Sequence, residues 1–412
     1  MSRTRIAILG SRPTGLEASL AAAEAGLDFT VLEMASGSAG NVGSWGHVRL
    51  FTPWSLNASA RARARLAAAG QSVPDNDDCP TGVELVRDLL EPIAGLADIA
   101  PRIRYGTRVL EIARDGLLKS DEIGTAQRSE PPFRILIEQA SDERIVFVDV
   151  VLDCTRTYHN PNALGRSGIR ALGERSVADS IVRHLPDVAA DEAGWAGQRV
   201  LLVGEVHSGQ TAARALSKLC SRHPDTAVAW AIQSERPTFK AIDDDPLPQR
   251  AALAEHARAM LSAGRGGTQQ EGVVVRLGRS VETLLRRSDG IEVTLRSAPD
   301  GTMGKLVVDR IIALTGSVGD HTLYRQLQVH ECWATSGPTK LAAALLASSA
   351  VDCLAQTSHG SDTLRNPGPG FFILGEKSYG RNSTYLMRVG WQQVDEVFPL
   401  LPVMPALVGE TQ

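Results

Sequence analysis

A chain of 412 residues with 43% hydrophobic content is long enough for two domains with separate cores. Its 43 Lys and Arg against 47 Asp and Glu leave a net charge of −4 without any long basic run, which removes nucleic acid from the expected partners. No apolar run approaches the roughly 20 residues of a bilayer span, and MSRTR leads directly into the first apolar run, so the expectation is a cytoplasmic protein with no membrane partner.

Ile6-Ala7-Ile8-Leu9 reads as a buried parallel strand, Pro13 to Ala25 as a helix, and Phe29 to Leu32 as a second strand ending in Glu33. Strand, helix and strand make a βαβ unit. Its turn carries Gly10 and Gly15, the first and third glycines of a GxGxxG fingerprint, with Arg12 in the middle position. Arg12 has two readings. Its bulk fills the space of a pyrophosphate and resists the backbone angles glycine adopts, or its guanidinium pairs with a phosphate. Glu33 stands where an acid receives a ribose hydroxyl, or is a solvated acid at a strand end.

The Gly/Ser-rich stretch Ser36 to Ser44 leads into WGHVRLFTPW, residues 45–54. Aromatics interleaved with His47 and Arg49 suit a loop that covers a flat ring system, or one merely anchored by two tryptophans. Ala58 to Ala69 and Thr81 to Ala94 read as helices, and Phe133 to Glu138 with Arg144 to Leu152 as a hairpin that runs into Asp153-Cys154-Thr155-Arg156. Gln198 to Ala215 then repeats the opening pattern: apolar strand, Gly204, a turn, Ser208-Gly209 and an Ala-rich helix, with Val206 in the middle position. Ala227 to Ile232 is the next strand. Gln233-Ser234-Glu235-Arg236 follows, where a nicotinamide ribose or its 2'-phosphate would be read. Lys240 to Glu255 is expected to be exposed, and Val273 to Leu277, Ile291 to Leu295 and Leu306 to Leu314 to be strands returning to the first domain.

Lys377 to Ser383 is dense in donors and precedes a helix expected from about Thr384. It reads either as an anion site, with Tyr379 and Lys377 as acid or electrostatic stabiliser and Arg381 as clamp, or as a capped helix start. His47, His159 and His207 lie on loops beside the nucleotide motifs, each a general base or a loop hydrogen-bonder. Ser208 lacks the GxSxG context, so a hydrolase triad is not supported. Cys79, Cys154, Cys220, Cys332 and Cys353 have neither CxxC nor metal-ligand spacing, and are expected to be buried small hydrophobes with no metal bound.

Two glycine-turn units, the Asp-Cys-Thr segment and the late return to the first domain resemble the two-dinucleotide-binding-domain flavoproteins, which include the pyridine-nucleotide oxidoreductases and flavin-containing monooxygenases. WGHVRLFTPW, DCTRTYHNPN, LYRQLQVHECWATSGPTKLAAALL and FFILGEKSYGRNS carry the likeness over most of the chain. The resemblance implies an α/β fold of two Rossmann-like, FAD- and NAD(P)-binding domains, the second inserted into the first. Residues 1–170 would begin the FAD-type domain, 171–307 would form the NAD(P)-type insertion, and 308–412 would complete the first domain. It further implies FAD on Gly10, Gly15, Glu33, Thr155 and Gly375, and NAD(P)H on Gly204, Ser208 and Gly209. Arg12, Arg156 and Val206 stand where the family has small residues, and Gly375-Glu376 where it has Gly-Asp.

Three functions are compatible with these residues. The first is a flavoprotein-type oxidoreductase or monooxygenase of a small molecule, using FAD and NAD(P)H. The second is a cofactor-independent lyase, cyclase or isomerase on the same scaffold, with His47, His159, Tyr379 or Arg381 in acid/base roles. The third is a non-catalytic binding protein.

Overall fold

The apolar run Arg5–Leu9 (β1) and the strand Asp28–Leu32 (β2) pair in parallel and are joined by the helix Pro13–Glu24. That helix is almost wholly buried from Thr14 to Ala22, which its Ala and Leu content permits because small and unbranched side chains pack closely at little entropic cost. The computed structural model describes residues 4–38, 40, 42, 45–155, 157–265, 272–348 and 353–403. The chain divides into two units, residues 1–160 with 317–412, and residues 161–316.

In the first unit β3 (Ile103–Arg104) adds to β2, while β4 (Thr107–Arg114), β5 (Phe133–Gln139) and β6 (Asp142–Val148) make an antiparallel sheet. β7 (Val150–Asp153) then returns to the free side of β1. The stretch expected as one strand over Arg144 to Leu152 therefore breaks at Asp149. Its carboxylate accepts from the Arg5 backbone N–H at 2.8 Å and from the Arg5 guanidinium at 3.1 Å, which turns the chain from one sheet into the other.

The second unit holds β8 (Ile181–Val182), β9 (Arg199–Val203), β10 (Ala227–Ile232), β11 (Val273–Leu277), β12 (Arg279–Arg287), β13 (Gly290–Ser297), β14 (Met303–Val308) and β15 (Arg310–Ala313). Its parallel sheet has the order β11-β10-β9-β15-β8, and β12-β13-β14 form a separate antiparallel sheet. The strands from Val273 onward thus stay in the second unit instead of returning to the first. The seams consequently fall at 160/161 and 316/317, not at 170/171 and 307/308, because Gly165 and Leu172 bridge to β12 and β15 hydrogen-bonds within the second unit's parallel sheet.

On its return the chain adds β16 (Glu331–Cys332), β17 (Gly337–Pro338) and β18 (Phe371–Ile373) to the first unit, whose parallel sheet reads β18-β7-β1-β2-β3. The final helix, Met387–Val397, begins three residues later than expected. The expected exposure of Lys240 to Glu255 also fails. Asp245 and Arg250 form a buried, two-pronged ion pair at 2.7 Å, and Leu247, Leu253 and Ala254 are in the core. Cys154 and Cys220 are buried, but Cys79, Cys332 and Cys353 are only partly so. Among the described residues no helix is long and apolar enough to cross a membrane, and no three His, Cys, Asp or Glu side chains group as metal ligands.

Candidate functional site

Both glycine turns are built the same way. Gly10 (φ +93°) and Gly204 (φ +130°) take backbone angles that favour glycine, and five residues on, Gly15 and Gly209 pack against them. A Cβ on Gly15 would lie 1.9 Å from the Gly10 carbonyl oxygen, and one on Gly209 2.3 Å from that of Gly204. No side chain fits there. Between these glycines Arg12 (φ −105°, ψ −177°) and Val206 (φ −89°, ψ −175°) occupy the N-cap positions in ordinary extended conformation. The expectation that a side chain at these positions resists the required backbone angles is therefore corrected: the angles there are ones any residue adopts.

In the first unit the helix Pro13–Glu24 starts with no side-chain cap, and Pro13 occupies its first turn. Its positive end and remaining N–H groups suit an anion, although Pro13 contributes no N–H. Arg12 is 8% exposed. Glu33, 4% exposed at the end of β2, accepts from the Ser11 N–H at 2.7 Å, the Ser11 hydroxyl at 3.0 Å and the Ala35 N–H at 2.9 Å. In the second unit the acid and the serine trade places: Glu205, just after the turn glycine, accepts from the Ser234 N–H at 3.2 Å, and the strand end itself carries Gln233.

Beside the first turn, Asp153 ends β7 with its carboxylate fully buried. One oxygen accepts from the Thr155 N–H at 3.0 Å and hydroxyl at 2.5 Å; the other accepts from Lys377 Nζ at 2.6 Å. Lys377, also fully buried, donates to Thr155 Oγ1 at 3.2 Å and faces the Tyr324 ring at 4.8 Å. The Lys377 donors thus meet an acid, a hydroxyl and a π face. Thr155 is thereby fixed against Gly10. Arg156 lies outside the described residues. At the matching point of the second unit the chain reads Ala313-Leu314-Thr315-Gly316, with Gly316 at φ +78° and no buried ion pair.

A cavity of about 290 Å³ opens in the first unit beside Arg12. Its polar wall contains Arg12, Glu376 and Arg388, and its apolar wall includes Trp45, Leu56, Leu90 and Met387. Thr52 and Asn57 also line it, but satisfy each other through bonds of 2.7 Å. Arg388 donates to the Leu354 and Gln356 carbonyls at 2.9 and 3.0 Å. Arg12, Glu376 and the loop from Trp45 to Trp54 stand out separately in the sequence, but nothing there joins them in one wall, whose residues come from distant stretches of the chain.

The sequence-derived candidates scatter around this centre. His159 is exposed, and burial of its ring together with the Arg12 charge lowers its pKa, against an opposing pull from Glu33. His47 and Arg381 are exposed and do not line the cavity. Tyr379 is 1% exposed, packed edge-on against Tyr385 at 5.4 Å, with burial pushing its phenol to about 12. Its hydroxyl has no partner among the described residues. Gly375 (φ +73°) lies against the first helix; a Cβ there would come within 2.7 Å of Thr14 Oγ1. Ser208 is exposed at the second turn, and His207 opens the helix His207–Arg222, its pKa lowered to about 4 by burial and by Arg250 and Lys240.

No family model and no curated protein matches the sequence. Solved structures do. The chain is similar to bacillithiol disulfide reductase from Bacillus cereus (17% identity, 98% of this chain and 99% of that one, TM-score 0.69). It is also similar to the cadaverine monooxygenase of desferrioxamine biosynthesis from Erwinia amylovora, solved with FAD (10%, 100% and 98%, 0.66). Thioredoxin reductase from T. acidophilum aligns as well (14%, 96% and 97%, 0.58). The chain has the fold of the two-domain FAD/NAD(P) oxidoreductases.

Proposed function

We propose that this chain is a flavoprotein-type oxidoreductase or monooxygenase of a small molecule, with FAD held by the first unit and NAD(P)H by the second. The observation that carries the reading is the pair of glycine turns, both of which keep the path of a dinucleotide loop with Arg12 and Val206 on unstrained extended backbone. The residues of the first unit fit an anionic dinucleotide. Gly10 and Gly15 shape the turn, the uncapped helix end and Arg12 supply positive charge, and Glu33, Thr155 and Gly375 border the path. Bound there, FAD supplies hydride and electron transfer between nicotinamide and substrate. Gly204, Ser208 and Gly209 would hold the nicotinamide dinucleotide. The protein's own contribution is to hold the Thr155 hydroxyl through Asp153 and Lys377.

The test is the absorption spectrum of the protein as isolated. A band near 450 nm, roughly the flavin maximum, with FAD released on denaturation is expected. A colourless protein that FAD cannot reconstitute overturns the proposal. One observation favours the second reading, a lyase, cyclase or isomerase without redox cofactor: three of the acceptor positions of Glu33 are already taken by Ser11 and Ala35. Arg12→Gly separates the two, since flavin binding gained by the variant marks the side chain as an obstruction and flavin binding lost marks it as a ligand.

A further inference from the structure

The second unit holds a cleft of about 160 Å³ beside β11, the edge strand of its parallel sheet. Its lining includes three cations, Arg276, Arg279 and Lys305, and no acid. The fold forces the two arginines together. Arg276 lies one residue before the end of β11, Arg279 opens β12, and the turn between them is made at Gly278 (φ +62°). The Gly278 N–H donates to the Ser234 carbonyl at 3.1 Å and its own carbonyl accepts from the Ala298 N–H at 2.8 Å, so the turn is held from both sides. The three charges are met differently. Lys305 donates to Glu292 at 3.0 Å. Arg276 and Arg279 form no hydrogen bond or ion pair among the described residues. Asp300, in the adjoining turn, is engaged by the Thr302 N–H at 3.0 Å and hydroxyl at 2.8 Å, and neither it nor the exposed Glu235 lines the cleft. Arginine stays protonated at any relevant pH, so two positive charges stand here unmatched.

We propose that Arg276 and Arg279 bind a phosphate group, the doubly charged end of a phosphate monoester. Such a group carries about −1.5 to −2 near pH 7, which matches two guanidinium charges, and its oxygens accept from planar guanidinium forks in pairs. A monocarboxylate leaves one charge unmatched. A volume of about 160 Å³ is below the roughly 300 Å³ of a small-molecule site, so the cleft takes the charged group while the rest of the ligand lies outside. Two sources offer this chemistry. Arg276 stands at the carboxyl end of a parallel strand, the side on which dinucleotides lie, and the Gly278 turn touches the segment after β10 where a ribose 2'-phosphate would be read. A nicotinamide dinucleotide phosphate is therefore one source, and a free phosphorylated metabolite or inorganic phosphate the other. Only the first rests on the redox reading; binding of the group itself needs no turnover.

The experiment measures binding to the intact protein by calorimetry at constant ionic strength, with inorganic phosphate, NADP+ and NAD+ as probes. Phosphate is expected to bind saturably below about 10 mM, and Arg276→Gln and Arg279→Gln should each weaken it about tenfold, the loss of one charge-assisted contact. Arg279→Lys, which keeps the charge, should lose less. A preference for NADP+ over NAD+ of about tenfold that collapses in both Gln variants assigns the cleft to the dinucleotide. An unchanged preference beside lost phosphate binding assigns it to a free phosphorylated ligand. Phosphate and NADP+ binding that neither variant alters overturns the proposal. So does the absence of both phosphate binding and any NADP+ preference, or competition by chloride equal to that by phosphate. If a Gln variant does not fold, the phosphate-to-chloride ratio and Arg279→Lys still decide. The flavin band reports separately: a colourless protein whose phosphate binding needs both arginines sinks the redox reading alone, and a yellow protein indifferent to both sinks this one alone.

Discussion

The two units share one plan and differ in where they put charge. Each has a five-stranded parallel sheet, a three-stranded antiparallel sheet inserted at the same point, and a glycine turn of identical spacing. Each even repeats the same latch, Arg5 on Asp149 in the first unit and Arg199 on Asp309 in the second, from the start of the first strand to the residue before the fourth. The fifth strand is the exception, supplied by the returning chain (β18) in one unit and by the preceding chain (β8) in the other. At the turns the chemistry diverges. The first unit places its acid at the end of β2 and a buried ion pair at the end of β7; the second places an acid inside the turn and ends the corresponding strand in Ala313. Frame and chemistry are therefore separable: glycine geometry and the latch preserve the first, and single residues at the strand ends set the second.

The largest expected effect breaks this comparison at its buried ion pairs. Lys377→Met leaves the Asp153 carboxylate buried without a counter-charge and should cost about 3–5 kcal/mol in urea denaturation, much of it recovered in the double variant with Asp153→Asn. Arg250→Met breaks the other unit's buried pair, but its Asp245 lies only five residues away, in the loop before the helix Pro248–Arg265. A loss of about 1–2 kcal/mol is expected, with faster hydrogen exchange confined to that loop. Equal losses would mean that both pairs hold their units in the same way.

Next in size is a pH effect belonging to the second unit. His207 has a folded pKa near 4 against about 6.5 unfolded, so between these values the unfolded chain binds the extra proton. Stability is then intact above about pH 6.5 and falls as pH drops toward 4, by up to about 3 kcal/mol. His207→Gln should flatten that part of the profile in thermal melts; an unchanged slope would assign it to other groups. The smallest effect concerns the strand end after β10, where Gln233 replaces an acid and Arg236 is exposed. Arg236→Ala should raise KM for NADPH about fivefold and leave that for NADH unchanged, if the guanidinium reads a 2'-phosphate.

Much of the frame was readable in order along the chain. The unit from Arg5 to Glu33, the second turn at Gly204 and the strand Ala227–Ile232 follow from apolar runs and glycine spacing, which act within a few residues. The latches also left a trace, an arginine opening each first strand and Val-Asp before each fourth. Asp153 and Lys377 left none, being 224 positions apart. Nor did the meeting of the cavity's walls, which joins residue 12 to stretches near 42–57, 85–90 and 376–388 and to residues 158 and 354.

By itself the sequence determined the doubled βαβ plan and the positions of both turns, because backbone angles and hydrophobic period are local properties. Only the tertiary structure decided that Arg12 sits on relaxed backbone in a cavity wall, that Glu33 is already engaged by Ser11, and that Lys377 neutralises Asp153. Charge is balanced by whatever folding brings within a few ångströms, and that distance bears no relation to separation along the chain.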